Sequence, residues 1–160
     1  DANRLILSER GSVIDERAVI NGVHIEEPFV IGRATIGKGS RIGKFTCIGN
    51  GCTIGTQARI ENSIIMKNTR IENHSTIAST IVGKGCIVGQ GATFLPTLLG
   101  KGIVKMRVNR SVIDAEQHQF GPVIGDHVMC GRDVTIMPGK KIWPRVTIPG
   151  ATTIRDDVHR

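Results

Sequence analysis

The groups able to do chemistry in this chain are few, and most of them sit on a regular beat. There are five histidines (His24, His74, His118, His127, His159) and four cysteines. A zinc centre needs three or four such donors at closing distance. His118 and His127 are nine residues apart, and no Cys-x-x-Cys pair is present, so the sequence predicts no metal site. His74 and His127 fall where the chain has to turn, a backbone reason for their presence. His118 lies in the polar run DAEQHQ and has no such explanation, which makes it a candidate general base. The triplets Gly37-Lys38-Gly39, Gly83-Lys84-Gly85 and Gly89-Gln90-Gly91 lack the strand-turn-helix context of a phosphate loop.

The elements that must position these groups follow from a six-residue period. Ile36, Ile42, Ile48 and Ile54 are each followed by glycine, and the beat continues through Ile60, Ile65, Ile71, Ile77, Val82, Val88 and Phe94. It returns at Ile124 and runs through Cys130, Ile136, Ile142, Ile148 and Ile154. Six residues fit neither a helical stripe nor simple strand alternation. They fit a hexapeptide β-helix: an all-β solenoid of short parallel strands, three to a turn. The residue two before each aliphatic is small (Ala34, Ser40, Thr46, Cys52, Ala58) and shares its inward face. The third residue after it is Gly, Asn, His or Asp, types that accept a left-handed turn. The steps Ile60 to Ile65 and Ile77 to Val82 are one residue short and predict shortened sides. About seven triangular turns at strand spacing would make a rod of about 30–35 Å.

Residues 1–12 precede the repeat and read as a linker or short helix from a preceding N-terminal domain. Residues 13–160 form the β-helix domain, with an insertion at 95–121 that reads as an arm. The start without methionine suggests a cut or processed chain. Aromatic residues are 3% and tyrosine is absent, which suits a thin core of Ile and Val and argues against base stacking on nucleic acid. Nothing reads as a signal peptide or membrane span. Cys52, Cys86 and Cys130 belong to inward positions and Cys47 to an outward one, a pattern suited to a reducing cytoplasm. The net charge of +7 reads as a solvated surface, or as attraction for an anionic ligand. Trp143 replaces the usual glycine and should cover a subunit contact or the arm.

The runs IGKGSRIGKFTCIGNGCTIG and IENSIIMKNTRIENHSTIASTIVGKGCIVGQGATF, with the ending GPVIGDHVMCGRDVTIMPGKKIWPRVTIPGATTIRDDV, carry a resemblance over nearly the whole chain. They resemble the C-terminal left-handed β-helix of sugar-1-phosphate nucleotidylyltransferases, both glucose-1-phosphate thymidylyltransferases and bifunctional acetylglucosamine-1-phosphate uridylyltransferases. DANRLIL resembles the hinge after their catalytic domain. The resemblance implies a homotrimer packed through β-helix sides, a preceding nucleotidylyltransferase domain, and magnesium only in that domain. In bifunctional members it also implies acetyl-coenzyme A along the late turns, which here offers Arg132, Lys140, Lys141 and Arg145 as contacts. The family's catalytic histidine position is Ser79 here, Thr97 stands where an asparagine is usual, and Leu99 stands near the usual basic or aromatic residue. His74 should point from a different corner. The implied function is therefore a trimerisation or regulatory domain with a degenerate acetyltransferase site. The alternatives are an active coenzyme A-dependent acyltransferase using His118, and a stand-alone hexapeptide protein binding a small anion.

Overall fold

The computed structural model describes residues 2–97, 105–108, 111–114 and 119–159. A helix, Ala2–Arg10, leads into seven coils of parallel β-helix. Each coil contributes one short strand to each of three seven-stranded sheets, so the solenoid has three flat faces. Face A carries Val13–Ile14, Phe29–Ile31, Thr46–Ile48, Ile64–Ile65, Ile81–Val82, Val123–Ile124 and Lys141–Ile142. Face B runs from Val19–Ile20 to Thr147–Ile148, and face C from His24–Ile25 to Thr153–Ile154.

The six-residue beat is the strand-and-corner unit. Its aliphatic residues stack in three inward columns, with Ile48, Ile65, Val82 and Ile124 in register on face A. Ile42, Ile60, Ile77, Val88 and Phe94 have essentially no solvent contact. Burying such a side chain contributes about 1.5–3 kcal/mol, so the columns are the main source of cohesion. The small residues line the corners from inside, Cys52, Ala58, Thr69, Ser75 and Cys86 all being buried. The predicted turn residues adopt left-handed backbone: Asn68 at φ 59°, His74 at 60°, His127 at 58° and Asp133 at 55°.

The short steps remove a residue from a corner, not from a side. Asn62 (φ 47°) and Ser79 (φ 51°) turn only two residues after Ile60 and Ile77. Both lie between faces C and A, and they set the coil at 17 residues, as in the pairing of Ile65 with Val82. With this corner full, at Phe45, Ile36 and Ile54 are 18 apart, whereas Ile31 and Ile48 are 17 apart because the step from Ile31 to Ile36 is itself one residue short.

The glycine after the aliphatic answers to the next coil. In coil after coil an Asn or Asp caps the amide of the coil before it: Asn50 Oδ1 accepts Arg33 N–H at 2.9 Å, Asn73 accepts Thr56 N–H at 2.9 Å, and Asp126 accepts Lys84 N–H at 3.0 Å. A side chain at Gly83 would collide with that cap, its Cβ falling 2.7 Å from Asp126 Oδ1.

Trp143 is exposed, as expected, and among the described residues its ring packs against the end of its own chain. Its ring sits 4.1 Å from that of His159, and its amide bonds the Val158 carbonyl at 2.9 Å. Residues 157–159 thus start an eighth coil, with Val158 packed against the core.

Candidate functional site

The chain departs from the repeat at one corner, and the residues around it are the candidate site. After Thr93–Phe94 it leaves between faces C and A, and it returns there before Val123–Ile124. Phe120 N–H bonds Pro96 O at 2.8 Å, which closes the base of the excursion. Lys105–Val108 and Ser111–Asp114 pair as an antiparallel hairpin joined by two residues. Thr97 is half-buried at the start of the arm. His118 and Leu99 lie outside the described residues.

Ser79 occupies this corner one coil earlier. Its amide donates to Glu61 O at 3.1 Å, and its carbonyl accepts from Gly121 N–H at 3.0 Å. Its hydroxyl oxygen accepts the Asn62 side-chain amide at 3.0 Å. The returning chain packs flat on it: a Cβ at Gly121 would stand 2.7 Å from the Ser79 carbonyl oxygen and 2.6 Å from Thr80 Oγ1. Ser79 is therefore a turn residue within a hydrogen-bonded corner column. A hydroxyl so placed can still donate one hydrogen bond, but it is not a general base near neutral pH. Asn62 escaped the sequence reading. Its signal was its offset, 17 residues before Ser79 at the same shortened corner.

The other histidines are dispersed. His74 turns the corner between faces B and C, its amide bonded to Thr56 O at 3.0 Å, so it points away from the Ser79 corner. His127 turns the corner between A and B with its ring over Gly85, Nδ1 2.6 Å from where a Cβ would be. His24 lies on face C, 3.5 Å from Glu26. Among the described residues no cluster of His, Cys, Asp or Glu is arranged to hold a metal ion.

The proposed coenzyme contacts divide into two places. Lys141 opens the seventh strand of face A with Lys140 just before it, and Arg145 (φ 62°) turns its far corner. Arg132 stands one side away, between faces B and C, with its carbonyl bonded by Ala151 N–H at 2.7 Å.

The inward cysteines are not nucleophiles. Burial raises the Cys52, Cys86 and Cys130 thiols, and Cys130 is pushed up to about 12 by burial first and Cys86 second. Cys52 and Cys86 donate to the carbonyls of Met66 and Gly125, each at 3.1 Å. A reactive thiol needs the reverse, an exposed electropositive setting.

The three faces differ outside. Face A presents Val13, Val30, Cys47, Ile64, Ile81 and Val123 in register before Lys141 ends the row. Face C presents His24, Arg41, Arg59 and then four threonines, Thr76, Thr93, Thr135 and Thr153.

The sequence profile of the GMPPB C-terminal domain matches residues 24–116, more than half of the chain. The chain belongs to this family. A bifunctional sugar-1-phosphate nucleotidylyltransferase/acetyltransferase from Sulfurisphaera tokodaii is 31% identical over 121 residues, 75% of this chain and 30% of the relative. The chain thus spans under a third of that relative's length. Among solved structures, a hexapeptide transferase family protein from Anaplasma phagocytophilum matches with TM-score 0.60 at 16% identity, over 85% of this chain and 71% of the other. The acetyltransferase domain of PglB from Neisseria gonorrhoeae, solved with acetyl coenzyme A, matches with TM-score 0.53 at 15% identity, over 86% of this chain and 53% of the other. At those identities the likeness establishes the hexapeptide β-helix. Among the described residues no helix is long and apolar enough to cross a membrane.

Proposed function

We propose that this chain is the C-terminal assembly domain of a sugar-1-phosphate nucleotidylyltransferase, which holds the catalytic domains together as a homotrimer in the cytoplasm. The observation that carries the reading is the outward row of face A. Six successive coils place an apolar residue there, and Ile81 and Val13 keep 39% and 53% of their surface in solvent. A continuous apolar strip marks a surface that is covered in the working protein. Repeating it on three identical chains around one axis closes the assembly. Sugar activation and its magnesium belong to the nucleotidylyltransferase domain under this reading.

Acetyl transfer is lost on the same account. At the corner where relatives would keep a basic side chain, Ser79 holds Asn62 and the returning arm instead. The second reading, a coenzyme A-dependent acyltransferase, is favoured by Lys140, Lys141 and Arg145 framing the last strand of face A.

The test is light scattering on the chain and on Ile64→Glu and Ile81→Glu. Charges placed in the middle of face A are expected to convert a trimer to a folded monomer, judged by an unchanged β-sheet circular dichroism signal. An unchanged assembly mass in both variants would overturn face A as the contact.

A further inference from the structure

The chain contains two Asn-Gly pairs, Asn21-Gly22 and Asn50-Gly51, and the fold treats them differently. Both pairs are exposed, and both glycines turn left-handed, at φ 63° and 73°. They differ in what lies beneath. Asn50 Oδ1 accepts Arg33 N–H at 2.9 Å, and Gly51 N–H donates to Arg33 O at 2.7 Å. The coil below thus holds both the side-chain amide and the backbone nitrogen. Asn21-Gly22 lies in the first described coil, between faces B and C, and no described coil lies below it. Among the described residues neither the Asn21 side chain nor the Gly22 amide has a hydrogen-bond partner. Only the Gly22 carbonyl is engaged, by Gly39 N–H at 2.8 Å.

We propose that Asn21-Gly22 is a spontaneous deamidation site of the native protein, and that stacking of the coils protects Asn50-Gly51. Asparagine is the thermally labile residue here, and a following glycine leaves its backbone nitrogen unshielded by any side chain. The Gly22 nitrogen gives up its proton and bonds to Asn21 Cγ. The bond from Cγ to the amide nitrogen breaks, and ammonia leaves carrying the proton. Water then opens the five-membered imide at either carbonyl to give aspartate or isoaspartate. One water is consumed and one ammonia released, with no redox change. The product adds a negative charge to the corner, and in the isoaspartate form an extra backbone methylene. At Asn50 the same attack would first require two hydrogen bonds of the ladder to open, which lowers the reactive population. Face A is the side opposite this corner, so assembly through face A does not itself cover Asn21.

The experiment is incubation of the intact chain at mildly alkaline pH, tryptic digestion and mass spectrometry of the peptides 18–33 and 45–59. The first peptide is expected to gain one mass unit roughly tenfold faster than the second, or more. In denaturant the two rates should converge, because each pair is then an unfolded Asn-Gly. Asn21→Gln should abolish the signal from the first peptide. Equal native rates, or a faster change at Asn50, would overturn the proposal. A difference that persists in denaturant would overturn the role of coil stacking.

Discussion

Replacing Gly83 by alanine tests the stacking of coils where the arm interrupts them. Gly83 does not have a left-handed φ, so its backbone would suit alanine. The obstacle is the sixth coil: a Cβ would lie 2.6 Å from the Gly125 carbonyl carbon and 2.7 Å from both the nitrogen and Oδ1 of Asp126. Ordinary contact begins near 3.4 Å, so the neighbouring backbone must retreat by roughly 0.7 Å. That retreat stretches Gly83 N–H to Ile124 O, now 2.9 Å, and Lys84 N–H to Asp126 Oδ1, now 3.0 Å, past useful length. Two lost hydrogen bonds at about 1 kcal/mol each, with overpacking strain of about 1–3 kcal/mol, total roughly 3–5 kcal/mol. For a chain of this size the melting temperature should fall by about 6–20 °C. Thermal melting followed by circular dichroism measures it. Gly11→Ala is the control: Gly11 is left-handed at φ 74° with open space where the Cβ would go, so only the conformational term of about 1 kcal/mol applies. A Gly83→Ala melt within about 1 °C of the unaltered chain would refute the close-packed stack.

Two further outcomes follow from the interior and the corner. Cys130 is protonated in the fold up to about pH 12, whereas an unfolded thiol ionises near 8.5. The unfolded chain therefore loses its proton first, and the contribution to stability is complete below pH 8.5 and declines as pH rises toward 12, by up to about 1.4 kcal/mol per pH unit. Denaturant titrations at a series of alkaline pH values should show a shallower decline in Cys130→Val, and an identical decline would contradict the buried thiol. At the corner, a thiol-release assay with acetyl-coenzyme A and glucosamine-1-phosphate should give no turnover, and turnover removed by Ser79→Ala would restore the acyltransferase reading.

Much of the fold is legible in the sequence because its constraints repeat. Aliphatic, small and turn residues each recur at one offset, so Cys130 could be placed in an inward column and His74 and His127 at corners before any coordinates. Ser79 shows the limit. Counting along a resemblance gave it a site position, while its physical role depends on a corner shortened by one residue. The deficit is visible in the sequence, but that it falls on a corner shows only in the left-handed backbone of Asn62 and Ser79. The apolar row of face A is hidden for a related reason. Cys47, Ile64 and Ile81 are 17 residues apart, but face B mixes 17- and 18-residue steps, so the outward rows separate only once the register is known. Trp143 was readable as outward, but its partner, His159, stands on the partial eighth coil, which the six-residue beat does not reach.

The central claim is assembly through face A, and the most direct measurement is the solution mass of the unaltered chain across a dilution series. The account predicts three times the 17.3 kDa chain mass, held as concentration falls through the micromolar range. A particle of a single chain's mass at high concentration would contradict it.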